Sequence, residues 1–191
     1  MVAAEYLMGE GGLEGLTIRA VLKRTGLARR AFYESFAGKD DLVLAVFERV
    51  LSGAAEHFAR SIGEIDDPAE RLRIIVFGII LGPYALSDEP PAERRSAALS
   101  REHLRLAEAR PGELAAALRP LLALITEQID RGIRKGAFRE ADPALQATLV
   151  YNLVSTTTHT ELLKEDGAPD RDGREALAGY IWDFCRRAIT S

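Results

Sequence analysis

A chain of 191 residues is long enough to bury a substantial core as one large domain or two small ones. Its apolar share of 47% is ordinary for a globular protein, and its net charge of −4 excludes a protein that coats nucleic acid without discrimination. One cysteine, Cys185, excludes an intrachain disulfide, and no apolar run approaches the roughly 20 residues that a membrane span requires.

Residues Val2–Met8 read as the end of a helix stopped by Gly9, Gly11 and Gly12. The stretch Thr17–Phe36 is more telling. Thr17 is a good N-cap, and Ile18, Val21 and Leu22 give a short helix one apolar stripe. Gly26 is suited to end it, and Leu27 to plug the angle before a second helix. That helix puts Phe32 and Phe36 inside and leaves Arg29, Arg30 and Tyr33 outside. Two short helices joined by a tight glycine turn form a helix-turn-helix, whose second helix enters the DNA major groove. From Gly15 to Lys39 six basic residues face one acid, a balance of +5 that leaves −9 for the rest. A basic patch on an acidic body fits site-restricted DNA binding.

Lys39 opens a long helix with Asp40 and Asp41 in its first turn and Phe47, Leu51, Ala54 or Ala55, Phe58 and Ile62 on its core stripe. Asp67-Pro68 starts the next helix, apolar most of the way round, which Gly82-Pro83 ends. After a Ser87–Pro91 loop, a charged helix spans Ala92–Ala109 with Leu99, His103 or Leu104, and Leu106 inward. Pro111 starts another helix, bent at Pro120 and stopped at Gly136. Asp142-Pro143 opens a helix to about Lys164 with Leu145, Leu149, Leu153, Thr156, Thr160 and Leu163 on one stripe. A polar loop to Gly173 precedes a last helix over 174–189. The expected fold is all-α with about nine helices, a reader domain over 1–46 and a helical body over 47–191.

The signature Gly12–Leu16, Thr17-Ile18-Arg19, Thr25-Gly26-Leu27, Phe32-Tyr33, Phe36, Lys39 and Asp41-Leu42 resembles the tetracycline-repressor (TetR) family of bacterial transcriptional regulators. Beyond it, only Gly136–Arg139 with Asp142-Pro143 resembles the family locally. Since that family's first helix begins earlier, the resemblance implies that the helix here is truncated. It also implies a cytoplasmic homodimer that binds a palindromic double-stranded DNA operator as a repressor. A small apolar or amphipathic effector would release it, and no cofactor or membrane would be involved. Phosphate contacts are implied for Thr17, Arg19, Tyr33 and Lys39. Ala28 stands where the family usually has a hydroxyl that caps the helix and holds phosphate. Arg29 and Arg30, early in the second helix, are suited to grip guanine, and Ala31 to meet a thymine methyl.

By the same resemblance, an effector cavity would be lined by Phe58, Phe77, Leu81, Tyr84, Leu99, His103, Leu122 and Ile125, with Tyr84 and His103 orienting the ligand. Dimerisation through the last two helices would use Leu149, Leu153, Thr156, His159, Thr160, Leu163, Leu177, Ile181 and Phe184. An effector-free helix-turn-helix protein is the alternative. A small all-α enzyme is disfavoured: the three histidines lack metal-ligand spacing, Cys185 lacks an activating base, and no phosphate-binding glycine loop is present.

Overall fold

The structure, a computed structural model, describes residues 2–82, 91–164 and 171–190, excluding the side chains at 8, 9, 11–14, 91–99 and 162–164. Among the described residues there are nine helices and no strand. They are α1 (Val2–Gly15), α2 (Ile18–Thr25), α3 (Arg29–Ser35), α4 (Lys39–Ser61), α5 (Pro68–Leu81), α6 (Pro91–Ala109), α7 (Pro111–Arg134), α8 (Pro143–Lys164) and α9 (Arg171–Ile189). No helix among them is long and apolar enough to cross a membrane.

Two apolar clusters divide the molecule, and α4 belongs to both. The smaller joins Ala4, Leu16, Val21, Phe32, Leu42, Val43 and Val46, with Val50 packed against it. The larger begins at the very next residue, Phe47, and takes in Phe58 and Ile62 from α4 with the inner faces of α5, α7, α8 and α9. Helix α5 is its centre: Leu72, Ile75, Val76 and Ile80 are all essentially without exposure. Asp67 starts α5 by accepting the Ala69 N–H at 3.0 Å, and Gly82 ends it in a positive-φ conformation that favours glycine. Buried Arg71 pins the chain between α4 and α5 to α7 by donating to the Gly63 and Ile65 carbonyls and to Gln128 Oε1.

The structure departs from the sequence expectations at several points. Helix α1 does not stop at Gly9–Gly12 but runs to Gly15, because packing along α6 and α2 outweighs the roughly 1 kcal/mol that a mid-helix glycine costs. Leu27 does not plug the helix-turn-helix angle. It is 54% exposed, and Val21 with Phe32 fills the wedge. Leu104 faces outward while Leu106 is fully buried. Helix α9 starts three residues earlier than expected, at Arg171. Within the expected stripe of α8, Leu145 and Leu149 are exposed and Leu153 packs partly against the core, while Ala147, Val150, Tyr151 and Val154 face inward. Tyr180 and Phe184 extend the exposed apolar surface on α9.

Candidate nucleic-acid interface and the polar centre of the body

Thr17 Oγ1 accepts the Ala20 N–H at 3.1 Å and starts α2; Gly26, at φ 69°, ends it. The Thr25 hydroxyl donates to the Val21 carbonyl and accepts the Leu27 N–H, which ties the turn to the helix before it. Helix α3 then begins after Ala28, which offers no side-chain cap. Only Phe32 of α3 is buried, so the remaining side chains lie on the outer face or its margins.

That outer face holds nearly all the expected DNA-contacting residues. Thr17, Arg19, Ala28, Arg29, Arg30 and Tyr33 are exposed, and Ala31 and Lys39 are half-buried at its edges. Arg29 lies over the Tyr33 ring, 5.7 Å from its centroid. Arg30 pairs with Glu34 at 3.2 Å, with 92% and 64% of the two side chains exposed, a contact weak enough to be exchanged for phosphate. Arg24 is committed elsewhere, stacked 3.5 Å over Tyr6 of α1, whose hydroxyl donates to Glu10. Sequence reasoning counted Arg24 with the basic patch and missed this role. Among the described residues, no ion pair engages Arg19, Lys23 or Arg29, so these charges face outward.

The start of α4 joins this face to the body. Asp41 accepts the Ala37 N–H through Oδ2 and Arg110 Nη1, at 3.3 Å, through Oδ1. Arg110 also pairs with Glu113. Asp40 lies 3.5 Å from Arg105, which grips Glu102 with two hydrogen bonds of 2.7 and 2.9 Å. Residues 37–41 and Arg110 line an open hollow of about 500 Å³ at the junction.

The described ones among the residues expected to line an effector cavity lie at several depths in the body. Phe58 and Ile125 are buried core, Phe77 and Leu122 pack partly against it, and Leu81 is half-buried at the end of α5. A Cβ on Gly78 would sit 2.2 Å from Cε1 of Phe58, so that ring is seated directly on the backbone of α5. Tyr84 and the side chain of Leu99 lie outside the described residues.

His103 belongs instead to a polar centre between α6 and α8. Its ring lies 4.6 Å from that of His159, 6.3 Å from Tyr151 and 6.0 Å from Phe47 of α4, measured between centroids. His159 Nδ1 is 2.8 Å from the Ser100 hydroxyl, while its Nε2 is buried without a partner. His159, expected at a dimer interface, thus turns inward to α6 of its own chain. Burial holds the His103 imidazole below its ordinary range. Burial, with the neighbouring His103 second, brings His159 down to about 4, so the pair is neutral at pH 7. Burial also raises Tyr151, opposed by its hydrogen bond with Ser155, and keeps its hydroxyl a donor. Sequence reasoning missed Ser100, Tyr151 and Ser155. Their signal was the polar spacing 151–155–159 on α8 facing 100–103 on α6.

Among the described residues no three of His, Cys, Asp and Glu converge as metal ligands. Cys185 is buried and its thiol is pushed up to about 11, far from the thiolate a nucleophile requires.

Of the expected interface residues on the last two helices, Leu149, Thr156, Thr160 and Phe184 are exposed and Leu153 and Leu177 half-buried. Ile181 packs inside the protomer, and the side chain of Leu163 lies outside the described residues.

Residues 1–46 match the family model of the bacterial regulatory proteins, tetR family. That match is confined to the helix-turn-helix segment and the helices beside it. The whole chain shares the fold of solved TetR-family regulators. A TetR-family regulator from Pectobacterium atrosepticum is 23% identical, with a TM-score of 0.76, over 99% of this chain and 91% of that one. The fatty acid degradation regulator FadR from Bacillus halodurans is 20% identical, with a TM-score of 0.75, over 97% and 95%. FadR from Bacillus subtilis, solved with stearoyl-CoA, is 19% identical, with a TM-score of 0.72, over 96% and 94%. No curated protein matches the sequence. The matched segment is followed by a helical body, and the solved structures named above are described as regulators.

Proposed function

We propose that this protein is a ligand-responsive transcriptional repressor that binds a palindromic operator as a homodimer in the cytoplasm. The observation that carries the reading is the outward basic face of α2 and α3, held rigid from behind by Phe32 and Val21. Arg29 and Arg30 are the base-edge candidates; Thr17, Arg19, Tyr33 and Lys39 hold phosphate beside them. The exposed apolar surfaces of α8 and α9, with Leu145, Leu149, Tyr180 and Phe184, support pairing of two copies. Two readers related by a twofold axis then fit half-sites roughly 34 Å apart or a multiple of it.

Release follows from the ion pairs at the start of α4. Helix α6 carries both His103 and the Arg105 that reaches Asp40, and Arg110 just beyond it reaches Asp41. A ligand that prefers a shifted α6 therefore moves α4 and the reader attached to it. It acts only through that difference in affinity. A small-molecule effector is supported by relatives of the same fold: the Bacillus subtilis FadR holds stearoyl-CoA, and a regulator from Saccharomonospora viridis was solved with choline.

The test is mobility shift on DNA from the gene's own upstream region. Arg29→Ala and Arg30→Ala should each weaken binding, and the one that grips a base twice per operator should cost about 2–6 kcal/mol. If neither substitution changes affinity, α3 is not the reading helix. A wild-type shift that no small molecule abolishes would favour an effector-free repressor.

A further inference from the structure

We propose that His103 and His159 form the head-group site for a carboxylate-bearing effector, taken up together with a proton. This rests on the ligand-responsive reading above and names the chemical class of the ligand.

The geometry is that of an incomplete polar site. Two imidazoles from different helices face each other at 4.6 Å, with the Ser100 hydroxyl on one side and Tyr151 on the other. The Nδ1–Ser100 contact orients the His159 ring, and whichever tautomer it selects, Nε2 points into the buried interior with nothing to bond. Among the described residues, His103 is held by ring contacts. A buried nitrogen left unpaired costs free energy that a bound polar group would recover.

Charge selects the occupant. Among the described residues, the groups that contact the pair are Ser100 on α6, Tyr151 on α8 and the Phe47 ring on α4, none of them an acid. Glu102, next to His103 in sequence, is gripped by Arg105 and brings no free negative charge. A cationic head group would therefore meet only neutral donors and two basic rings. A carboxylate would meet two rings able to accept a proton and hydroxyls able to donate. Its negative charge removes the mutual repulsion and the burial penalty that keep the imidazoles unprotonated, so one ring gains a proton as the anion enters. A single proton shared by the pair balances a monoanion, whereas a dianion would leave a buried charge uncompensated.

The site also lies at the right point on α6. Arg105, the residue that touches Asp40, follows His103 by two positions and Ser100 by five on the same helix. A carboxylate drawn between α6 and α8 displaces the segment of α6 that contacts the reader.

Full-length protein titrated with decanoate, 1-decanol and decylamine, all below their aggregation limits, gives the test. Ring ¹⁵N resonances report the protonation of each histidine, with His57→Asn used to assign the third. Decanoate should bind at least ten-fold more tightly than the alcohol or the amine. It should move the His103–His159 resonances toward the protonated position at pH 7, and calorimetry in buffers of different ionisation enthalpy should show close to one proton taken up per site. His159→Gln should remove the preference for decanoate over decanol. Because that substitution can disturb packing, the wild-type resonances decide independently. Equal affinity for acid and alcohol, decanoate binding with unshifted imidazoles, or no decanoate binding overturns the proposal. Operator release is scored separately: uptake at the imidazoles with the DNA complex intact refutes the release mechanism and leaves the site. Release by another compound, with the imidazoles unmoved by any acid, refutes the site and leaves the regulator.

Discussion

Two glycines on neighbouring helices should respond in opposite directions to the same substitution. Gly78 lies inside α5, and a Cβ there would stand 2.2 Å from Cε1 and 2.7 Å from Cζ of Phe58, a ring only 7% exposed. Ordinary contact begins near 3.4 Å, so the ring must retreat by more than an ångström into a filled core. Overpacking of this kind costs about 1–3 kcal/mol, while replacing a mid-helix glycine returns at most about 1 kcal/mol. Gly78→Ala should therefore destabilise by about 1–2 kcal/mol and lower Tm by roughly 2–8 °C. Gly53, inside α4, is exposed and a Cβ there meets nothing within 4 Å. Gly53→Ala should stabilise by about 0.5–1 kcal/mol through the unfolded chain alone. Urea melts at one fixed protein concentration measure both, since association would shift either midpoint by mass action. Adding Phe58→Leu to Gly78→Ala should recover part of the loss through a favourable coupling of at least about 0.5 kcal/mol. If Gly78→Ala stabilises as Gly53→Ala does, Phe58 is not seated against α5, and the packing argument fails.

Ala28→Ser should supply the side-chain cap that α3 lacks, raising stability by about 0.5–1 kcal/mol and tightening operator binding, read by melting and by mobility shift. Arg105→Ala should cost about 2 kcal/mol because it strands Glu102, whose side chain is 2% exposed. Arg73→Ala, which breaks a pair of like geometry around a Glu70 that is 39% exposed, should cost at most about 0.5 kcal/mol in the same urea melts. The His159 imidazole binds its proton less readily in the folded state than in the unfolded one, so the unfolded chain holds more protons as pH falls below 6.5. Stability should thus drop between pH 6.5 and about 4, by on the order of 1–3 kcal/mol, and His159→Gln should flatten that slope.

Local chemistry made the reader legible. Thr17 and Gly26 each act through their own residue type within a few positions, Thr17 capping α2 with its hydroxyl and Gly26 with a backbone free to turn left-handed. Periodicity was less complete as a guide. It identified an apolar stripe on α8 but could not say that Leu145 and Leu149 face away from the protomer's core, because a stripe looks the same whichever surface covers it. The glycines of α1 were read as a stop because their cost is local, whereas the contact with α6 that offsets it lies some ninety residues away in sequence. The polar centre was hidden for the same reason. His103 and His159 are far apart in the chain, and neither helix alone shows that their rings meet.

The sharing of α4 between two cores bears on how such proteins can be recombined. Val46 packs with the reader and its neighbour Phe47 with the body, so no peptide bond near that point separates two self-sufficient pieces. Val50 still serves the reader, and α1 rests on α6, which lies wholly within the body. A graft that moves this reader onto a foreign body must carry α4 past Val50 and recreate the α6 surface under α1. Splicing at the start of α4 would leave the transplanted reader with an open apolar flank. Exchange of bodies between such readers is therefore constrained by one face of α6.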